Sequence, residues 1–186
     1  MHKIAVFASG TGTNFEAIVE ACNRGELDAE VVLLVCDKPQ AAAVEKAHRF
    51  GIECFAFNPK DYASKEEFES QIVELLDMAG VELVCLAGYM RIVGSVLLGA
   101  YGGKIINIHP SLLPAFMGAR AVERAVEYGV KVYGITIHWV DQTLDGGKII
   151  AQRAFEYDGN DPEQVHRIGQ QIEHKLYVET IKKILE

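Results

Sequence analysis

"KIAVFASGTGTNFEAIVEACNRGELDAEVVLLVC", residues 3–36, decides the fold class. An apolar run, KIAVFA, is followed by a glycine-containing turn, a helical pattern from about Asn14 to Arg24, and a second apolar run, EVVLLVC. Strand, helix, strand in this spacing is a βαβ unit, and its two strands pair in parallel. Both runs are almost continuously apolar, as expected of strands covered on both faces.

The same alternation continues outward. AAAVEKAHRF (41–50) and Ser64 to Ala79 read as helices, and IECFAF, VELVCLA and KIINI as strands, with a short helix before the last. The tail changes character. VYGITIHWV (132–140) and GKIIAQRAF (147–155) are strand-like and joined by DQTLDGG, a hairpin-type link. A closing helix spans about Pro162 to Leu185, with Pro162 suited to its first turn. The expected fold is α/β and Rossmann-like. It has a mostly parallel central sheet flanked by helices, a C-terminal antiparallel pair and a closing helix, all in one domain over residues 1–186.

Composition narrows the function. Of 186 residues, 49% are hydrophobic and 24% charged, and the net charge is -8. That charge argues against a nucleic-acid backbone as partner. No apolar run is long enough for a membrane span, and the start MHKIAVFASG is too quickly broken to be a signal peptide. Cys22, Cys36, Cys54 and Cys85 form no CxxC pair, which suits reduced core thiols in a cytosolic protein rather than a metal site.

The turn "ASGTGTN", residues 8–14, lies where a parallel sheet presents a helix N-terminus to ligands. Gly10 and Gly12 allow close backbone approach. Thr13 followed by Glu16 reads as a capping box. The turn lacks the third glycine of a dinucleotide fingerprint and the Lys-Ser/Thr of a Walker loop, so one phosphate is expected. A purely structural turn is the alternative.

"NIHPSLLP", residues 107–114, puts Asn107 and His109 two apart at a strand's carboxyl end, hence on one face. An amide can donate to a developing oxyanion and an imidazole can donate a proton near neutral pH. Pro110 and Pro114 stiffen the exit, and Leu113-Pro114 is a candidate cis bond. Asp145, in LDGG, is either a turn aspartate or a carboxylate that keeps His109 protonated. His138 reads as a core residue of its strand. His2, His48 and His166 read as surface residues. Gln170, Glu173 and His174 read as a solvated helix face.

The stretches FASGTGTNFEAI, LAGYMRIV, NIHPSLLPAF, GITIHWVDQTLDGGKIIAQ and IEHKLY, in this order, resemble the folate-dependent formyltransferases over nearly the whole chain. The resemblance implies a cytoplasmic enzyme of purine biosynthesis. It would move a formyl group from 10-formyltetrahydrofolate to the primary amine of 5-phosphoribosylglycinamide, without a metal, as a monomer or homodimer. It implies catalytic roles for Asn107, His109 and Asp145. Gly12, Thr13 and Asn14 match the phosphate turn, and Gln170 and Glu173 match positions near the glycinamide. Lys65, Met90, Arg91, Ile92 and Val93 match the folate side, together with Asn107. The loop from Val140 through Asp141 and Leu144 to Asp145 is expected to close over the pterin ring. Two departures fall beside the site: many members read Pro-Gly where this chain has Met117-Gly118, and some carry histidine where Arg120 stands. The alternative activity is that of formyltetrahydrofolate hydrolase, which usually carries an extra N-terminal domain; the tRNA formyltransferase carries an added C-terminal one. A non-catalytic nucleotide-binding module is the third reading.

Overall fold

Strand β1 (His2–Ala8) pairs in parallel with β2 (Ala29–Cys36) on one side and β4 (Leu83–Leu86) on the other, so its apolar run is enclosed. The computed structural model describes residues 1–186. Beyond β2 lies β3 (Glu53–Ala56), and beyond β4 lie β5 (Ile105–His109), β6 (Val132–Trp139) and β7 (Ile149–Glu156). The seven strands form one sheet in the order β3-β2-β1-β4-β5-β6-β7. Strands β1 to β5 run in parallel. Strand β6 is antiparallel to both of its neighbours, so it alone runs against the rest.

The helices are α1 (Thr13–Asn23), α2 (Ala42–Phe50), α3 (Lys65–Ala79), α4 (Ser95–Tyr101), α5 (Ala121–Tyr128) and α6 (Pro162–Leu185). None is long and apolar enough to cross a membrane. Ser64 caps α3 by accepting from Glu67 N–H, and Asp161 caps α6 by accepting from Glu163 N–H. Helix α5 was not expected from the sequence.

Two cores result from the pleat. Ile4, Val6, Ile106, Ile108, Ile135 and Ile137 face α1 and α6, meeting Phe15, Leu176, Tyr177 and Ile181. Ala5, Phe7, Val84, Leu86 and Ile105 face the other way, toward Phe68, Ile72, Leu76 and Leu97 of α3 and α4. The four cysteines are free thiols. Burial raises their pKa values, to about 11 at Cys22 and Cys54.

The expected capping box does not form. Thr13 is the first helical residue of α1, and Gly12, in the left-handed region at φ 69°, is the N-cap with no side-chain cap. Glu16 instead turns toward α2, where it pairs with Lys46 at 2.6 Å and with Arg49. Gly12 is also required sterically, since a Cβ there would lie 2.8 Å from Ala43 Cβ.

Candidate active site

Alternation along β5 builds the site. Ile106 and Ile108 enter the first core, so Asn107 and His109 share the opposite face with Ile105. Register supplies their neighbours from β6: His138 stands across from Asn107, and Thr136 across from His109. His109 is 6% exposed and His138 2%. Thr136 fixes the chain leaving β5. Its hydroxyl donates to the Ser111 carbonyl at 2.7 Å and accepts from Leu113 N–H at 3.1 Å and Gln152 Nε2 at 3.0 Å. Leu113-Pro114 is cis.

Asp145 reaches back over this face. Its Oδ2 lies 3.5 Å from His109 Nδ1 and accepts from Gly118 N–H at 2.7 Å. Its Oδ1 lies 3.8 Å from His138 Nε2. On the other edge of the imidazole, His109 Nε2 lies 2.9 Å from the Phe116 carbonyl. An acceptor therefore stands opposite each ring nitrogen of His109. Asp145 has φ 50°, and Gly147 lets the link turn beside β6, because a Cβ there would run into the Trp139 carbonyl. The Asp145 carboxylate thus stands within 4 Å of both histidines while its backbone makes the turn.

His138 is a buried residue of its strand, as expected, and its ring also contacts Asn107. Its Nδ1 lies 2.9 Å from the Trp139 carbonyl, and a carbonyl can only accept. With Nδ1 donating, Nε2 is an acceptor for Asn107 Nδ2 at 3.2 Å. One amide hydrogen of Asn107 is thereby held by His138. The signal was the strand register, which no run of residues displays by itself.

The turn after β1 meets α6. Gln170 Nε2 donates to Thr13 Oγ1 at 3.0 Å and Asn14 Nδ2 donates to Glu173 Oε2 at 2.9 Å. Gln170 and Glu173 are therefore tied to the turn rather than forming only a solvated face. His174 is half-buried, and burial lowers its pKa. Because α1 has no side-chain cap, no side chain competes for the amides of its first turn.

The segment after β4 is pinned from both ends. Ser9 Oγ donates to Asp37 Oδ1 at 2.5 Å and accepts from Met90 N–H at 2.8 Å, while Arg91 Nε donates to Asp37 Oδ2 at 3.1 Å. Buried Glu69 accepts from Gly94 N–H at 2.6 Å and Leu97 N–H at 3.2 Å. Between these anchors Met90 (73%) and Ile92 (62%) stand exposed, as does Leu144 (53%) in the β6–β7 link. Val93 turns inward to the second core, which half-buried Val140 also joins. Lys65, at the start of α3, lies beside Gly94, where a Cβ would fall 2.9 Å from Lys65 Cε. Asp141 accepts from Thr143 N–H at 2.8 Å, which shapes the link. The sequence reading missed Ser9, Asp37 and Glu69, whose partners lie 25 to 81 residues away. No group of three or more His, Cys, Asp or Glu side chains is gathered for a metal ion.

A family model, Formyl transferase, matches residues 2–181. The chain is 55% identical over 186 residues to phosphoribosylglycinamide formyltransferase of Bacillus subtilis (strain 168), covering all of this chain and 95% of that one. It is 41% identical over 176 residues to the trifunctional purine biosynthetic protein adenosine-3 of Gallus gallus, covering 94% of this chain and 18% of that protein. The crystal structure of glycinamide ribonucleotide transformylase 1 from Geobacillus kaustophilus superimposes with a TM-score of 0.97 at 49% identity, over all of both chains.

Proposed function

The chain belongs to the formyl transferase family, and from that membership we propose that it is a phosphoribosylglycinamide formyltransferase of purine biosynthesis. The donor is a folate-derived formyl carrier, 10-formyltetrahydrofolate, and the acceptor is the primary amine of 5-phosphoribosylglycinamide. Hydrolysis of the donor is not favoured, because the relatives at high identity are transferases. We read residues 1–186 as one catalytic domain, cytoplasmic, acting as a monomer or homodimer without a metal.

The observation that carries this reading is the convergence of Asn107, His109 and Asp145 on one face at the carboxyl end of β5, beside β6. The amine attacks the formyl carbon, and the formyl oxygen gains charge. The second Asn107 amide hydrogen donates to that oxygen. His109 exchanges the Phe116 carbonyl for it, while Asp145 supports the imidazolium from the Nδ1 side. Asp145, directly or through water, carries the amine proton to the folate nitrogen as the carbon–nitrogen bond to the donor breaks. Donors aimed at a developing oxyanion are each worth roughly 3–4 kcal/mol of barrier. Gly12, Thr13 and Asn14 hold the phosphate at the first turn of α1, with Gln170 and Glu173 toward the glycinamide. Exposed Met90, Ile92 and Leu144 suit a flat pterin ring, and Arg91 and Lys65 supply cations for the anionic tail of a folate.

The test is a paired assay of tetrahydrofolate release with and without the ribonucleotide amine. Release that requires the amine, with a formylated ribonucleotide as product, is the expected result. Release without the amine would make the protein a hydrolase, and folate binding with no release would make it a sensor.

A further inference from the structure

We propose that Arg124 is a positioning residue for the catalytic pair His109 and Asp145, acting through the backbone of residues 116–120; this rests on the roles given above to that pair. The segment is unusual. Phe116, Gly118 and Arg120 all have positive φ, at 54°, 80° and 54°. Phe116 and Arg120 are L-residues in a sparsely populated conformation, which persists where the surroundings over-determine it.

Arg124 supplies that constraint. From the first turn of α5 it reaches back along the segment. Its Nε donates to the Ala119 carbonyl at 3.1 Å and its Nη2 to the Met117 carbonyl at 2.5 Å. The guanidinium carbon also lies 6.0 Å from the centre of the Phe116 ring. A planar fork with a stacking face can make all of these attachments at once, and an ammonium cannot.

The alternate groups of the same segment serve the site. The Phe116 carbonyl faces His109 Nε2 at 2.9 Å, and the Gly118 N–H donates to Asp145 Oδ2 at 2.7 Å. Between Phe116 and Ala119 the backbone thus presents one set of groups to the catalytic pair and another to Arg124. Arg124 touches neither catalytic side chain, yet it sets where both of their backbone partners stand. Met117 and Arg120, the two departures from the family pattern, lie inside this segment. Met117 is attached by its carbonyl, and Arg120 packs no side chain into the site, its guanidinium pairing on the surface with Glu127 at 3.6 Å. The loop's shape is therefore read from Arg124 rather than from those two side chains.

The test uses Arg124→Ala, Arg124→Lys and, to keep the aliphatic stem, Arg124→Met in the full chain. Displacing a reacting geometry by about 1 Å can cost a hundredfold. We expect kcat to fall roughly tenfold to a hundredfold in all three variants, with the folate KM within about twofold of wild type and the melting temperature nearly unchanged. Millimolar guanidinium ion should restore part of the lost kcat in the alanine variant. Nitrogen-15 spectra of histidine-labelled protein should show the His109 ring signals altered in the variants, with those of His2 and His48 unmoved. This last readout does not depend on the reaction, so an inactive wild type would defeat the transferase reading and leave the inference about Arg124 still decided by the spectra. Wild-type kcat in Arg124→Ala, full activity in Arg124→Lys, losses that follow melting temperature, or unchanged His109 signals would each overturn the proposal.

Discussion

His138 Nε2 lies 3.2 Å from Asn107 Nδ2, and the two residues are direct partners across the antiparallel β5–β6 ladder. The imidazole therefore fixes which way the Asn107 amide points. His138→Ala should lower kcat about tenfold with little change in either KM, because the amide keeps its place but loses its orientation. Asn107→Ala should cost more, about a hundredfold to a thousandfold. The double variant should be scarcely worse than Asn107→Ala alone, since His138 acts through Asn107. Full multiplication of the two losses in kcat/KM would show that His138 acts independently.

Asp145→Asn should keep an acceptor for the Gly118 N–H while losing the negative charge beside His109. Ligand affinities should stay near wild type and kcat should fall by at least tenfold, on the order of one charge-assisted contact. Steady-state kinetics with calorimetric binding checks this. An unaltered kcat would reduce Asp145 to a feature of the β6–β7 link.

The phosphate turn is best probed at Asn14. Gly12 is packed on Ala43, so a side chain there disturbs α1 and α2 as well as any ligand. Asn14→Ala removes the bond to Glu173 without that clash. The ribonucleotide KM should rise about tenfold, equivalent to about 1.4 kcal/mol, with the folate KM unmoved. A parallel rise in both would detach the turn from the ribonucleotide.

Glu16 gives a pH-dependent link between α1 and α2. The hydrogen bond and charge of Lys46, with Arg49 beside it, hold its pKa below the ordinary 4.5. A depressed carboxylate pKa contributes stability that is complete above the unfolded value and is lost as pH falls through the folded one. Glu16→Gln should therefore lower the melting temperature at pH 7, and the gap from wild type should close as pH drops below 4.5. Melting curves across that range would show a constant gap if the ion pairs were irrelevant.

Much of this molecule is legible in its sequence. Enclosed strands such as β1, β2 and β4 read as apolar runs because both faces are covered, and α3 and α6 carry their own caps, Ser64 and Asp161. Helix α5 escaped notice because it opens on Arg120 with a positive φ and no side-chain cap, so no start signal precedes it. Thr13 and Glu16 carried a valid local signal that tertiary partners overrode, Gln170 for one and Lys46 for the other. Asn107 and His109 could be singled out because two polar residues interrupt a strand's apolar run. His138 could not, because its meaning depends on which strand lies beside it and in what register. Arg124 and Asp37 are in the same position, as their roles are written in contacts and not in spacing.

Tyr177 of α6 is fully buried and donates to the Leu86 carbonyl at 2.7 Å, with the Ile106 carbonyl 3.4 Å away. The carboxyl end of β4 and the start of β5 are thus fastened by a residue made 91 positions after the first of them. During synthesis at about 5–20 residues per second, the 24 residues of α6 take roughly 1–5 s to add after the sheet's strands are already made. For that interval the nascent sheet lacks the hydroxyl that bridges β4 and β5 and the apolar cover of Leu176, Tyr177 and Ile181. Until α6 docks, the β5 face carrying Ile106 and Ile108 stays open to water, and the arrival of that helix ends the exposure.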